Sequence, residues 1–96
     1  MEIKLRDDVV IEKVAGMYIA VAMRSAWHIC PLAMEIGPMP AYFWQSIKSG
    51  ISDEEMISTA AYRWKVSKER AEKFLNSFIR DATRFNYIIS EDSVNE

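Results

Sequence analysis

The sequence predicts an α+β domain in which a three-stranded antiparallel sheet precedes three helices. Three observations carry this. The runs 9–14 (VVIEKV) and 17–23 (MYIAVAM) are β-branched or alternating and are joined by Ala15-Gly16. A third alternating run, 32–36 (LAMEI), is fenced by Pro31, Pro38 and Pro40. Beyond Pro40 the apolar spacing changes to the helical period, most clearly at Ala71, Phe74, Leu75, Phe78, Ile79, Ala82 and Phe85.

Each element has a local cause. Gly16 supplies the positive φ of a tight hairpin turn between the first two strands. Met17, Ile19, Val21 and Met23 share one face of the second strand. In the third strand, Leu32, Met34 and Ile36 are expected to face the core, and Ala33 and Glu35 to face away. The prolines mark this strand as an edge, since proline cannot donate to a ladder. The first helix is expected from about Pro40 to Lys48, because proline suits a first turn and Ser49-Gly50 a helix end. Ser52-Asp53-Glu54-Glu55 is a capping box that starts the second helix, and its acids suit the positive end of the dipole. Ser67 caps the third helix. This order of parts is winged-helix-like, with the sheet moved to the front.

Composition bounds the function. Ninety-six residues, half of them hydrophobic, make one domain, taken as residues 1–90 with a polar tail at 91–96. A net charge of −2 and a pI near 5.4 argue against a nucleic-acid partner. No run approaches the roughly 18 apolar residues of a membrane span, and MEIKLRDD lacks the apolar region of a signal peptide. The single Cys30 excludes an internal disulfide and fits a cytoplasmic location.

Catalytic chemistry is hard to find. His28 and Cys30 would face the same way on a strand, but a zinc site needs three or four ligands. No third group is evident to orient a Cys–His nucleophile. Gly16, Gly37 and Gly50 are isolated, so no glycine-rich phosphate loop exists. Asp7-Asp8 reads as a solvated strand entry. No metal, no cofactor and no enzymatic activity are expected. Tyr42, Phe43 and Trp44 are consecutive and point about 100° apart on a helix. Either all fill a small core or one lies over a groove. The third helix carries five cations against three carboxylates, +2, leaving −4 to the rest of the chain. Its 70-74-77-81 stripe offers Arg70, Phe74, Ser77 and Asp81, with Lys73 and Arg84 beside it. That surface is either a solvated face or a groove wall that attracts an acidic segment.

From Gly16 to Ile88, about three quarters of its length, the chain resembles the PqqD-like family of peptide-binding domains, the RiPP recognition elements. A passage of the form V-I-x-L-N-x-T-G-A-x-x-W is typical of the family. Here it reads Ala33-Met34-Glu35-Ile36-Gly37-Pro38-Met39-Pro40-Ala41-Tyr42-Phe43-Trp44, with Ala41 and Trp44 in place and Ile36 for the Leu. Tyr62 to Ser67 and Phe74-Leu75 match a second passage that spans Asp53 to Ile88. Gly37-Pro38-Met39-Pro40 departs from the family's Asn-x-Thr-Gly cap.

The resemblance implies a non-catalytic adaptor. The leader segment of a ribosomally made precursor peptide would add as a strand to the edge of Leu32, Ala33, Met34, Glu35 and Ile36. Phe74 would line its pocket, and Arg70, Lys73 and Arg84 would supply charge for leaders rich in Asp, Glu and Leu. The partner would be a peptide-modifying enzyme, commonly a radical S-adenosylmethionine enzyme. Proline at Met34 is expected to remove an edge amide. Two alternatives stay open: a DNA-binding winged helix using Lys68, Arg70 and Lys73, and a dimerisation scaffold in which the edge pairs with its twin.

Overall fold

The computed structural model describes residues 3–89 and has the predicted winged-helix-like α+β architecture. The order is β1 (Lys4–Leu5), β2 (Val9–Val14), β3 (Met17–Ala22), β4 (Ala33–Ile36), α1 (Pro38–Lys48), α2 (Asp53–Trp64), α3 (Lys68–Arg84) and β5 (Ile88–Ile89). The main sheet is antiparallel in the order β2-β3-β4. A second, two-stranded sheet, unforeseen from the sequence, pairs β1 with β5 and joins the two ends of the domain. Two residues per strand are too few for a periodic signal. The tail at 91–96 lies outside the described residues.

Val14 pairs with Met17, so Ala15 and Gly16 form the whole hairpin loop. Both have positive φ, 52° and 80°, the pattern of a type I′ turn. The segment 24–31 holds a 3-10 turn at Arg24–Ala26, and the Trp27 indole donates to the Ala22 carbonyl at 2.9 Å. His28 is exposed and Cys30 buried, so the two do not share a face as they would on a strand. Asp8 is not merely solvated: Arg6 Nε donates to its Oδ1 and the Ser25 hydroxyl to its Oδ2, each at 2.8 Å.

α1 starts two residues earlier than expected, with Gly37 at the N-cap and Pro38 and Pro40 in the first turn. The Ser52 and Ser67 hydroxyls accept from the Glu55 and Arg70 amides at 3.2 and 3.1 Å, as the capping pattern required. α3 buries Ala71, Leu75, Phe78 and Ala82 on its apolar stripe.

The helices cover one face of the sheet. On β3 that face is Ala20 and Ala22, both buried, and small residues there let α1 pack against the strand. The bulkier set Met17, Ile19, Val21 and Met23 turns outward, with Met17 and Met23 exposed. Trp44, Phe43, Met56, Leu75 and Val9 are the largest fully buried side chains. Trp44 and Phe43 are therefore core, and Tyr42 is the half-buried member of the aromatic triplet. Leu32 corrects an expectation. It precedes β4, and its side chain is 62% exposed at the uncovered end of the sheet, not in the core.

Candidate functional site

Hydrogen bonding determines which groups of β4 are free. The Met23 amide donates to the Asp8 carbonyl at 2.7 Å, and the Ala22 amide donates to the Leu32 carbonyl at 2.9 Å. In an antiparallel ladder the bonded pairs alternate along each strand. Even-numbered residues of β3 thus bond towards β4, and odd-numbered ones towards β2. In register with them, Met34 pairs with Ala20 and Ile36 with Tyr18. The Leu32 carbonyl and the backbone groups of Met34 and Ile36 are consequently directed at β3. Ala33 and Glu35 aim theirs at the open edge. Met34 has no free edge amide, which corrects the expectation for proline at that position.

Beside this edge lies a groove of about 530 Å³ between β4, the start of α1 and α3. Met34, Ile36, Trp44, Phe74, Phe78 and Tyr87 are among its lining residues. Aromatic contacts build its floor. Trp44 and Tyr87 meet edge to face at 5.0 Å, and Phe78 touches the rings of Phe43 and Trp44 at 6.1 and 6.3 Å. The Tyr87 hydroxyl donates to the Met34 sulfur at 3.9 Å, and burial pushes the Tyr87 pKa up. Below the groove, the Asn86 side-chain amide donates to the Ile29 carbonyl at 2.8 Å and the Cys30 thiol to the Asn86 carbonyl at 3.4 Å. Asn86 holds a positive φ of 65°, which Asn tolerates better than most residues. These bonds fix the end of α3 to the segment entering β4. Burial also pushes the Cys30 thiol pKa up.

The residues singled out in the sequence divide into two groups. Met34, Glu35, Ile36, Phe74, Ser77 and Asp81 line the groove. Leu32, Ala33, Arg70, Lys73 and Arg84 do not, although Ala33 bears part of the free edge. The guanidinium of Arg70 lies over the Phe74 ring and that of Arg84 over Phe85, each at 5.6 Å, so both border the groove wall. Lys73 is exposed and joins neither contact. Sequence reasoning missed Tyr87, Trp64, Phe85 and the α1 start as lining. Phe85 was visible in the α3 period, but Tyr87 lies past the helix, where no period exists. No group of three His, Cys, Asp or Glu among the described residues could hold a metal ion. Among them, too, no helix is long and apolar enough to cross a membrane.

No family model and no curated protein matches the chain. A solved structure described as "TbiB1 in Complex with the TbiA(beta) Leader Peptide" is similar, with a TM-score of 0.69 at 15% identity. The match covers 88% of this chain and 93% of the other. At this identity the likeness establishes a shared fold.

Proposed function

We propose that this protein is a non-catalytic adaptor that binds the leader segment of a ribosomally made precursor peptide and presents it to a maturation enzyme. The observation that carries the reading is a strand edge, at Ala33 and Glu35, that no other strand pairs among the described residues, directly beside an apolar groove. That pairing of features suits β-augmentation: main-chain bonds supply affinity and alternate side-chain pockets supply selectivity. The shared fold with a leader-bound protein supports the same reading. Short length and flanking prolines keep this edge from indiscriminate pairing. The enzyme's class, radical S-adenosylmethionine, rests on the family resemblance alone.

The test is an amide-resolved NMR titration of the labelled protein with the leader of a short peptide encoded beside its gene. Shifts concentrated on 33–36, on α3 and on Tyr87 are expected. A well-dispersed spectrum without shifts at high peptide concentration would overturn the reading. Dimerisation through the same edge would instead shift these residues with protein concentration alone.

A further inference from the structure

We propose that Glu35 is a specificity-determining residue that selects a lysine or arginine in the strand added to β4. The inference deepens the adaptor reading and rests on it.

The first observation is placement. Glu35 is exposed and lies on the sheet face away from the helices, because Met34 and Ile36 on either side are half-buried on the helix face. It stands opposite Ile19, which in turn stands opposite Glu12. The next position in this row, Glu12–Ile19–Glu35, is the one an incoming strand fills. Side chains beside each other on neighbouring strands share a face, whether the strands run parallel or antiparallel. The peptide residue beside Glu35 therefore points outward and meets its carboxylate, and the residue beside Met34 points into the groove. Among the described residues the Glu35 carboxylate has no hydrogen-bond or ion-pair partner. It is free to take one from the peptide.

The second observation is the sign of the groove. Apart from Glu35, whose carboxylate lies on the outer face, its charged lining residue is Asp81, also a carboxylate. Three guanidiniums stack on rings that line the groove, Arg63 on Trp64, Arg70 on Phe74 and Arg84 on Phe85, all on the helix side and away from the outer face that Glu35 occupies. An acidic residue directly beside Glu35 would meet like charge, and directly opposed like charges destabilise. A segment with apolar side chains towards the groove and a cation on the outer face fits both surfaces. At the position beside Glu35 this reverses the acidic residue that the family resemblance implies.

The experiment scans the leader of the peptide encoded beside the gene, placing Lys and then Glu at each position in turn. Binding is measured to the wild type and to Glu35→Lys and Glu35→Gln. One position, adjacent in sequence to a residue buried in the groove, should favour Lys over Glu by about three- to tenfold in the wild type. Glu35→Lys should invert that preference, Glu35→Gln should abolish it, and 0.5 M salt should reduce it. A purely structural role for Glu35 would weaken all peptides alike. If the leader binds but no position inverts, the selectivity of Glu35 is refuted and the adaptor reading stands. If no form of the leader binds the wild type, the adaptor reading itself fails and takes this inference with it.

Discussion

The Tyr87 hydroxyl reaches across the groove floor to donate to the Met34 sulfur at 3.9 Å, joining the segment after α3 to the edge strand. The ring of Tyr87 also sits edge to face on Trp44 at 5.0 Å. One side chain thus links three elements around the groove. The hydroxyl contributes little, because sulfur is a weak acceptor. The ring contributes much more, being 3% exposed. Tyr87→Phe should cost about 0.5 kcal/mol of unfolding free energy in urea, and Tyr87→Ala about 3–5 kcal/mol. Equal losses for the two would mean that the ring packing is not what holds this corner.

Proline substitutions separate the two sides of β4. Ala33 is the first residue of the strand, a position that tolerates proline, and its amide points to the open edge. Ala33→Pro should keep the fold and weaken leader binding by about fivefold or more, the worth of roughly one lost main-chain bond. Met34→Pro removes a bond to Ala20 and should destabilise the protein by at least about 1 kcal/mol. Circular dichroism and calorimetric titration of both variants check the pair. A Met34→Pro protein as stable as the wild type would contradict the ladder assignment.

Phe74 and Phe78 both line the groove, but Phe74 is 39% exposed and Phe78 only 7%. Phe74→Ala should therefore change stability by under about 1 kcal/mol and lower leader affinity by at least about fivefold. Phe78→Ala should unfold more readily, by about 3–5 kcal/mol. Urea melts and titrations on the two variants distinguish an affinity residue from a core residue.

Acid should loosen the start of the sheet. The Arg6 guanidinium, followed by the Ser25 hydroxyl, holds the Asp8 carboxyl below its ordinary value of 3.8. A depressed folded pKa gives stability that is present above pH 3.8 and is lost as pH falls through the lower folded value. Asp8→Asn should be less stable at pH 7 by up to about 1 kcal/mol, the upper end for a partly exposed pair. Its stability should also fall less steeply below pH 4 than that of the wild type. Unfolding curves from pH 2 to 7 read both effects.

Most of the main architecture was legible because local chemistry and global fold agree in this chain. Ser52 and Ser67 announce helices that begin where their hydroxyls accept. The α3 period at 71, 75, 78 and 82 is the face that is buried. What escaped was set by tertiary contact. Leu32 has the right parity for the core, but the helices do not extend over it. Ala20 and Ala22 are the buried face of β3 although the other face is more hydrophobic, since a helix must come close there. The groove was half visible. Its strand and helix residues follow from alternation and period, whereas Tyr87 enters from a turn positioned by the bonds of Asn86 to 29–30 and by backbone bonds from the Tyr87 amide to the Ala82 carbonyl and from the Arg6 amide to the Tyr87 carbonyl.

The central claim is that a leader segment adds to the edge of β4, and amide hydrogen exchange tests it most directly. In the free protein the Met34 and Ile36 amides face β3 and should exchange slowly, and those of Ala33 and Glu35 should exchange fast. Saturating leader should slow Ala33 and Glu35 selectively and leave Met34 and Ile36 as they were. Fast exchange at Ala33 and Glu35 in a peptide-saturated sample would contradict strand addition, wherever else the peptide touched the protein.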